Sequence, residues 1–176
     1  MSAALNRLLA GETEVERLRR LVRVNHAGEF GAARIYDGQL AVLTDQEIRH
    51  MREQEQVHLE AFERRMKETG TRPTVLLPVW RVAGYALGWL TARMSRNAAM
   101  ACTVAVESVI DRHYAEQIAR VENGELKEEL ERFRAEEMEH HDTALEAGAE
   151  EARGYQVLNR LIQPGSRLAI WLSTRW

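Results

Sequence analysis

Hydrophobic positions recur along this chain at helical spacing, and the alternation typical of strands is absent. Leu18, Leu21 and Val22 begin one such run, which Ile35 and Leu40 continue. The few Pro and Gly residues fall mostly between the runs, where helices are expected to end. The pattern predicts six helices, four of them long, in a single all-α domain that covers residues 1–176.

Capping signals and helix breakers set the predicted helix boundaries. The capping box T-E-V-E at residues 13–16 starts the first helix, and T-D-Q-E at residues 44–47 starts the second, which runs to residue 69. Pro164 and Gly165 lie inside the last helix, so we expect it to be kinked or broken there. The other four helices are expected at about residues 73–94, 97–121, 125–148 and 155–173.

Composition narrows the class of protein. Hydrophobic residues make up 45% of the chain and charged residues 29%, with 3 Pro and 11 Gly, which excludes a disordered or collagen-like chain. The single cysteine, Cys102, excludes an intramolecular disulfide and is typical of a reducing compartment. A formal net charge of −3 gives no electrostatic basis for binding nucleic acid. With no membrane-spanning stretch or signal peptide in the pattern, we expect a soluble or membrane-surface protein.

Two of the predicted helices carry the pattern Glu-x-x-His. One pair is Glu55 with His58, and the other is Glu137 with His140. Residues three apart on a helix share a face, so each pair can direct a carboxylate and an imidazole to one point. Either pair alone is more often part of a solvated helix face than of a metal site.

Two further glutamates make the metal interpretation specific. Glu29 and Glu107 interrupt apolar or small surroundings, where an unpaired carboxylate would cost several kcal/mol to bury. Each precedes a Glu-x-x-His pattern by a similar distance, 26 residues before Glu55 and 30 before Glu137. A four-helix bundle of two such hairpins gathers four Glu and two His, as in di-iron or di-manganese carboxylate proteins. This donor set suits Fe or Mn better than a structural Zn ion, which prefers thiolates.

Polar residues near these positions have several candidate roles. Tyr36 and Tyr114 each follow a predicted ligand glutamate by seven residues, so at least one phenol is expected near the metals. The alternative is two core tyrosines with satisfied hydroxyl groups. His26 and His113 flank the same glutamates and are candidates for groups that face the substrate or support the ligands.

Two aspartates are candidates for a supporting role. Asp111 and Asp142 lie close in sequence to the predicted ligands, and either can orient a ligand imidazole through its second ring nitrogen. The sequence alone does not assign them to one histidine or the other.

Long motifs in this chain resemble a known family. They are R-V-N-H-A-G-E-F-G-A-A-R-I-Y at residues 23–36, A-M-A-C-T-V-A-V-E-S at residues 99–108 and E-E-M-E-H-H-D at residues 136–142. They resemble the demethoxyubiquinone hydroxylases of ubiquinone biosynthesis. The resemblance covers nearly the whole chain, from about residue 18 to residue 176.

This resemblance implies a ferritin-like di-iron monooxygenase that uses O2 to hydroxylate the ring of a demethoxy-ubiquinone precursor. It implies two iron ions as cofactors and NADH as the ultimate source of electrons. His113 and Tyr114 match family positions implicated in passing electrons to the di-iron centre or in placing substrate. Carried over by position, the metal ligands are Glu29, Glu55, His58, Glu107, Glu137 and His140.

The resemblance also implies contact with a membrane, because the substrate carries a long polyprenyl tail. Residues 73–94 are apolar on nearly all sides and, with residues 155–176, predict a hydrophobic surface that lies in one leaflet. A dimer interface or a helix that caps the core are the alternatives. The members of this surface are Val75, Leu76, Leu77, Val79, Trp80, Val82, Tyr85, Ala86, Leu87, Trp89 and Leu90, with Leu168, Ile170, Trp171, Leu172 and Trp176.

The expected location is therefore that of a peripheral membrane protein, on the cytoplasmic face of the bacterial inner membrane or the matrix face of the mitochondrial inner membrane. Besides the quinone substrate and the membrane, the expected partners are a lipid-binding protein of ubiquinone synthesis or a second copy of the chain, and no nucleic acid. The competing function is iron storage or metal binding by a protein of the ferritin or rubrerythrin type. Such a protein shares the six ligands but does not need the apolar segment.

Gly28 and Gly31 flank Glu29, although glycine costs about 1 kcal/mol within a helix. Their missing side chains either leave a path for a flat quinone ring beside the metals or allow close helix packing. The sequence favours neither alternative.

Overall fold

The computed structural model describes residues 13–176, which contain six α-helices, one short 3-10 helix and no strand. This confirms the predicted all-α class and the six helices. The α-helices are α1 (Glu14–Leu40), α2 (Gln46–Thr69), α3 (Leu77–Met94), α4 (Arg96–Ile118), α5 (Glu125–Glu146) and α6 (Tyr155–Ser173), and the 3-10 helix is Ala149–Glu151.

Four long helices form two hairpins, and the two other helices pack on their outside. Helix α1 pairs with α2, and α4 pairs with α5, while α3 lies across α1 and α4, and α6 lies mainly along α4. The buried apolar residues form two clusters, one of which contains Tyr114 and the other Tyr36. This arrangement is a ferritin-like four-helix bundle with two added helices.

The first predicted capping box is confirmed, but the second is wrong by one residue. The Thr13 hydroxyl accepts a hydrogen bond from the Glu16 amide, and the Glu16 carboxylate accepts one from the Thr13 amide. At α2 the cap is Asp45 instead of Thr44, because the Asp45 carboxylate accepts the amides of Glu47 and Ile48. Arg96 also donates to the Asp45 carboxylate at 2.6 Å and so holds it in place.

Of the predicted kink or break at Pro164, the break is wrong, because α6 runs without interruption from Tyr155 to Ser173, and the kink stays a prediction. Proline removes one amide donor and leaves the carbonyl four residues earlier, at Arg160, without a helical partner. Both Pro164 and Arg160 are exposed, so water can bind the freed carbonyl. Exposure therefore removes much of the penalty that a buried proline would bring.

Glycines let α3 lie directly against the backbone of α1. A Cβ atom added at Gly88 would lie 1.9 Å from the Ile35 carbonyl oxygen, and one at Gly38 would lie 2.2 Å from the Tyr85 carbonyl oxygen. Gly84 meets the Gly31 carbonyl oxygen in the same way, at 2.8 Å. The apolar helix is therefore fixed to the bundle along one face, and its other face is left exposed.

No helix within residues 13–176 combines the length and the apolar character that crossing a membrane would require.

We expect Gly88→Ala to lower the free energy of unfolding by about 1–3 kcal/mol or more, because the new methyl group meets backbone atoms that cannot turn away. Gly165→Ala is the matched control, since a Cβ at Gly165 within α6 meets no atom within 4 Å. There the alanine should stabilise the helix by about 0.5–1 kcal/mol. Urea unfolding of both variants measures the difference, and equal effects would contradict this close crossing.

Candidate metal centre

The six side chains predicted as ligands meet in the centre of the bundle. Helix α1 supplies Glu29 and α4 supplies Glu107, while α2 and α5 each supply one Glu-x-x-His pair. All six are at most 2% exposed to solvent. The three-residue spacing places both members of each pair on the inward face of their helix. The members are Glu29, Glu55, His58, Glu107, Glu137 and His140.

The six side chains form two groups that share two carboxylates. In the first group Glu29 and His58 lie with Glu55 and Glu137, and in the second Glu107 and His140 lie with the same two carboxylates. Within each group, one ligand atom from every residue lies within 4.8 Å of the others. The geometry therefore fits two cations side by side, with Glu55 and Glu137 between them.

Several carboxylate oxygens in this cluster are buried without a hydrogen-bond partner. They are both oxygens of Glu55 and one oxygen each of Glu29 and Glu107. Burial raises the pKa of Glu55 and of Glu107 well above its usual value, and the negative charge of Glu137 raises both further. Buried acceptors without donors are the expected sign of a bound cation, so the residues fit a pair of metal ions.

The histidines provide the only positive charge inside the cluster itself. Burial alone would lower the pKa of His58, but hydrogen bonds with Glu137 and Glu29 raise it to about 12. Burial alone would raise the pKa of Glu137, yet hydrogen bonds from His140 and His58 hold it at about 2. Protons on the two imidazoles thus neutralise the negative charge of Glu137, which bound metal ions can neutralise instead.

Both tyrosines reach the cluster, and each binds a glutamate of the other hairpin. The Tyr114 hydroxyl of α4 donates to Glu29 of α1 at 2.5 Å, and the Tyr36 hydroxyl of α1 donates to Glu107 of α4 at 2.8 Å. Both phenols therefore contact predicted ligands, and a phenol beside the metals themselves stays a prediction. The exchange between hairpins could not be predicted from spacing along one helix.

The ring nitrogens that face away from the cluster have partners that the sequence analysis did not identify. His58 Nε2 donates to the Glu136 carboxylate at 2.5 Å, and His140 Nε2 donates to the Gln54 side-chain oxygen at 2.9 Å. Glu136 and Gln54 each directly precede the glutamate of a Glu-x-x-His pattern. That matching position is the sequence signal that could have identified them.

The supporting role predicted for Asp111 and Asp142 is therefore wrong. The Asp111 carboxylate accepts a hydrogen bond from Arg134 at 2.7 Å, and Asp142 contacts the neighbouring His141 at 3.0 Å. The outer nitrogens of His58 and His140 meet Glu136 and Gln54 instead, so proximity in sequence did not identify the partners.

His113 belongs to a polar network beside the cluster. Gln117 Nε2 lies 2.8 Å from His113 Nε2 and also donates to the Asn25 side chain, which donates back to Gln117. Burial lowers the pKa of His113 to about 4, and the positive charge of Arg120 acts in the same direction. His113 therefore stays neutral near pH 7.

The Cβ positions of Gly28 and Gly31, on either side of Glu29 in sequence, face open space. A Cβ atom at Gly28 or at Gly31 would meet no atom within 4 Å, so neither missing side chain makes room for a packed helix there. Nearby, His26 is buried and its Nδ1 has no hydrogen-bond partner. The open space thus lies at Gly28 and Gly31, which flank the buried Glu29 along α1.

Comparison with known proteins gives one consistent family. Residues 16–173 match the family described as "Ubiquinone biosynthesis protein COQ7". The "NADPH-dependent 3-demethoxyubiquinone 3-hydroxylase, mitochondrial" of Dictyostelium discoideum is 47% identical, over 93% of this chain and 82% of the relative. The protein of the same name from Rattus norvegicus is 51% identical, over 89% of this chain and 76% of the relative. The "3-demethoxyubiquinol 3-hydroxylase" of Rhodospirillum rubrum is 47% identical, over 89% and 77%.

We expect Glu55→Gln to stabilise the metal-free protein by about 1–4 kcal/mol at neutral pH, because the wild type must on folding either bury a partnerless carboxylate or keep a proton on it, and the amide does neither. The usual pKa of this carboxyl is 4.5, and below that value it is protonated in both states, so the gain should vanish. Above it the folded wild type keeps a proton that the unfolded chain releases. The wild type therefore loses stability as the pH rises toward the raised folded pKa, and the difference grows.

Urea unfolding in the presence of a chelator, at several pH values, measures this difference. Glu53→Gln is the matched control, because Glu53 lies on the same helix and is exposed. Equal stability of wild type and Glu55→Gln at neutral pH would contradict a free-energy cost of burying the Glu55 carboxyl.

Proposed function

The chain belongs to the family of the ubiquinone biosynthesis protein COQ7, and from this we propose that it is a di-iron monooxygenase. It hydroxylates the ring of a demethoxyubiquinone precursor, the reaction that the names of its relatives print. The observation that carries the proposal is the pair of buried four-residue groups that share Glu55 and Glu137. A storage protein of the ferritin type is the second candidate, but the family match favours the hydroxylase.

In this proposal Glu29 and His58 would hold one iron ion and Glu107 and His140 the other, and both groups would share Glu55 and Glu137. Bound there, two iron ions would supply the reduction of O2, in which one oxygen atom would end in the new ring hydroxyl and the other in water, with two electrons and two protons taken up. The electrons come from a reduced nicotinamide nucleotide. The resemblance implied NADH, whereas the names of several relatives print NADPH.

The protein's own side chains fix the ligands and exclude water from them. Tyr36 and Tyr114 hold the carboxylates of Glu107 and Glu29, respectively, through hydrogen bonds between the two hairpins. We place the quinone ring in the open space at Gly28 and Gly31. His113, which stays neutral and is held by Gln117, and Tyr114 are our candidates for passing electrons or placing substrate.

We further propose that α3 and α6 together dock on a membrane. Trp80 Nε1 of α3 donates to the Ser173 hydroxyl of α6 at 3.0 Å, and the Val75 amide donates to the Trp176 carbonyl at 3.1 Å, so the two helices present one surface. The exposed side chains of this surface are Val75, Val79, Val82, Tyr85, Trp89, Leu90, Leu161, Leu168, Trp171 and Trp176.

Charged groups frame this surface in the way a bilayer interface favours. The guanidinium of Arg93 lies 5.5 Å from the Trp89 ring centre, and that of Arg175 lies 3.8 Å from the Trp171 ring centre. Aromatic rings beside cations suit the level of lipid headgroups. A membrane would bring the polyprenyl tail of the substrate to the enzyme. A second copy of the chain or a lipid-binding partner protein are the other occupants to test.

The decisive experiment is anaerobic loading of the protein with Fe(II), followed by O2, a demethoxyquinone analogue and either NADH or NADPH. We expect a hydroxylated quinone that carries one oxygen atom from labelled O2, detected by mass spectrometry. Glu137→Ala, which removes a shared carboxylate, should reduce turnover by at least about a hundredfold because both iron ions lose a ligand. Iron mineralisation without hydroxylated product would favour storage instead.

We expect Trp89→Glu to release the protein from anionic liposomes, because a buried charge at the interface is unfavourable. Flotation with the vesicles measures the bound fraction. Val57→Glu is the matched control: Val57 is 59% exposed and apolar but lies on α2, outside this surface. Equal flotation of wild type and Trp89→Glu would contradict the membrane proposal, and a change from dimer to monomer would support a second copy as the occupant.

A further inference from the structure

The two halves of the metal centre repeat the same donor set, but the residue behind the outer nitrogen of each histidine differs. Each half has a terminal glutamate held by a tyrosine of the other hairpin, one histidine and the two shared carboxylates. The position directly before each Glu-x-x-His glutamate also matches, but it is Gln54 in one hairpin and Glu136 in the other. We infer that this pair makes the two metal positions chemically unequal, so that the position at Glu29 and His58 binds its ion more tightly.

The contacts of the two imidazoles carry this inference. Both rings turn Nδ1 toward the cluster, where His58 Nδ1 lies 3.3 Å from Glu29 and His140 Nδ1 lies 3.4 Å from Glu55. Both rings turn Nε2 outward, His58 to the Glu136 carboxylate at 2.5 Å and His140 to the Gln54 amide oxygen at 2.9 Å. A metal bound at Nδ1 leaves the proton on Nε2, so each outer residue must accept a hydrogen bond.

A carboxylate and an amide oxygen accept that hydrogen bond with different strength. The charged acceptor forms the shorter and stronger bond, and it makes the imidazole a better electron donor at the opposite nitrogen. Glu136 also adds a negative charge next to one half only. Its other charged neighbour, Arg132 at 4.0 Å, is 60% exposed, so water screens that interaction. Glu136 and Gln54 are thus positioning residues that act through the ligand histidines.

This inference depends on the proposed metal centre, and the test separates the two. The protein is titrated with Mn(II), its two dissociation constants are measured by competition with a chelator, and crystals soaked with one equivalent are examined by anomalous scattering. We expect a preference of about tenfold or more for the position at Glu29 and His58. Glu136→Gln should remove most of that preference by weakening the tight site.

The exchanged variant, Gln54→Glu with Glu136→Gln, gives the sharpest result. It keeps the net charge and the composition, and it should move the preferred ion to the position at Glu107 and His140. A purely structural role would weaken binding without exchanging the positions. Glu139→Gln is the matched control for charge, because Glu139 is exposed on the same helix and should leave both constants unchanged.

The outcomes distinguish the two claims. Failure of the wild type to bind Mn(II) or Fe(II) at either position would overturn the metal centre itself. Two bound ions with equal affinity, or a preference that survives in the exchanged variant, would overturn only the inference about Glu136 and Gln54. If Glu136→Gln does not fold by circular dichroism, Gln54→Glu alone still tests it, because it should bring the two constants together.

Discussion

The structure depends on the burial of four carboxylates and two imidazoles at the centre of a small helical bundle. Such a cluster opposes folding, since buried charges without partners cost several kcal/mol each. The protein offsets this cost with imidazole protons, two tyrosine hydroxyls and close packing around the cluster. Several carboxylate oxygens still lack donors, and this is the unfavourable state that divalent cations relieve. The residues whose burial lowers the stability of the metal-free protein are therefore the same ones that fit a pair of metal ions.

The connections between the hairpins hold this arrangement together. Because Tyr36 and Tyr114 each bind a glutamate of the opposite hairpin, neither half can form its side of the centre alone. The ring of Phe133, 4.1 Å from that of His58, adds apolar contact on one side of the cluster. Outside the cluster, α3 and α6 bury one face each on the bundle and leave the other exposed. The same fold thus combines a buried polar centre with an exposed apolar surface on α3 and α6.

The two hairpins repeat the same types of site residue along the chain. Ligands, tyrosines and outer partners occur twice with matching spacing, so a nearly symmetric centre follows from a nearly symmetric chain. The two halves differ at Glu136 and Gln54. A carboxylate oxygen of Glu136 accepts from the outer nitrogen of His58, and the amide oxygen of Gln54 accepts from the outer nitrogen of His140. Such a difference bears on how tightly a histidine holds a metal ion, because ligand basicity is sensitive to the hydrogen bond on the opposite nitrogen.

The sequence by itself determined the six helices and the six residues that meet at the centre, because helical period, the two Glu-x-x-His patterns and the apolar surroundings of Glu29 and Glu107 are local signals. It misplaced the cap of α2 and overestimated the effect of Pro164, since both depend on what surrounds the residue. The tertiary structure alone decided that each tyrosine crosses to the other hairpin, that Glu136 and Gln54 instead of Asp111 and Asp142 meet the histidines, and that glycines bring α3 onto α1. These contacts join residues far apart in sequence, so local spacing does not give the pairing, even where it marks the position, as it does for Gln54 and Glu136.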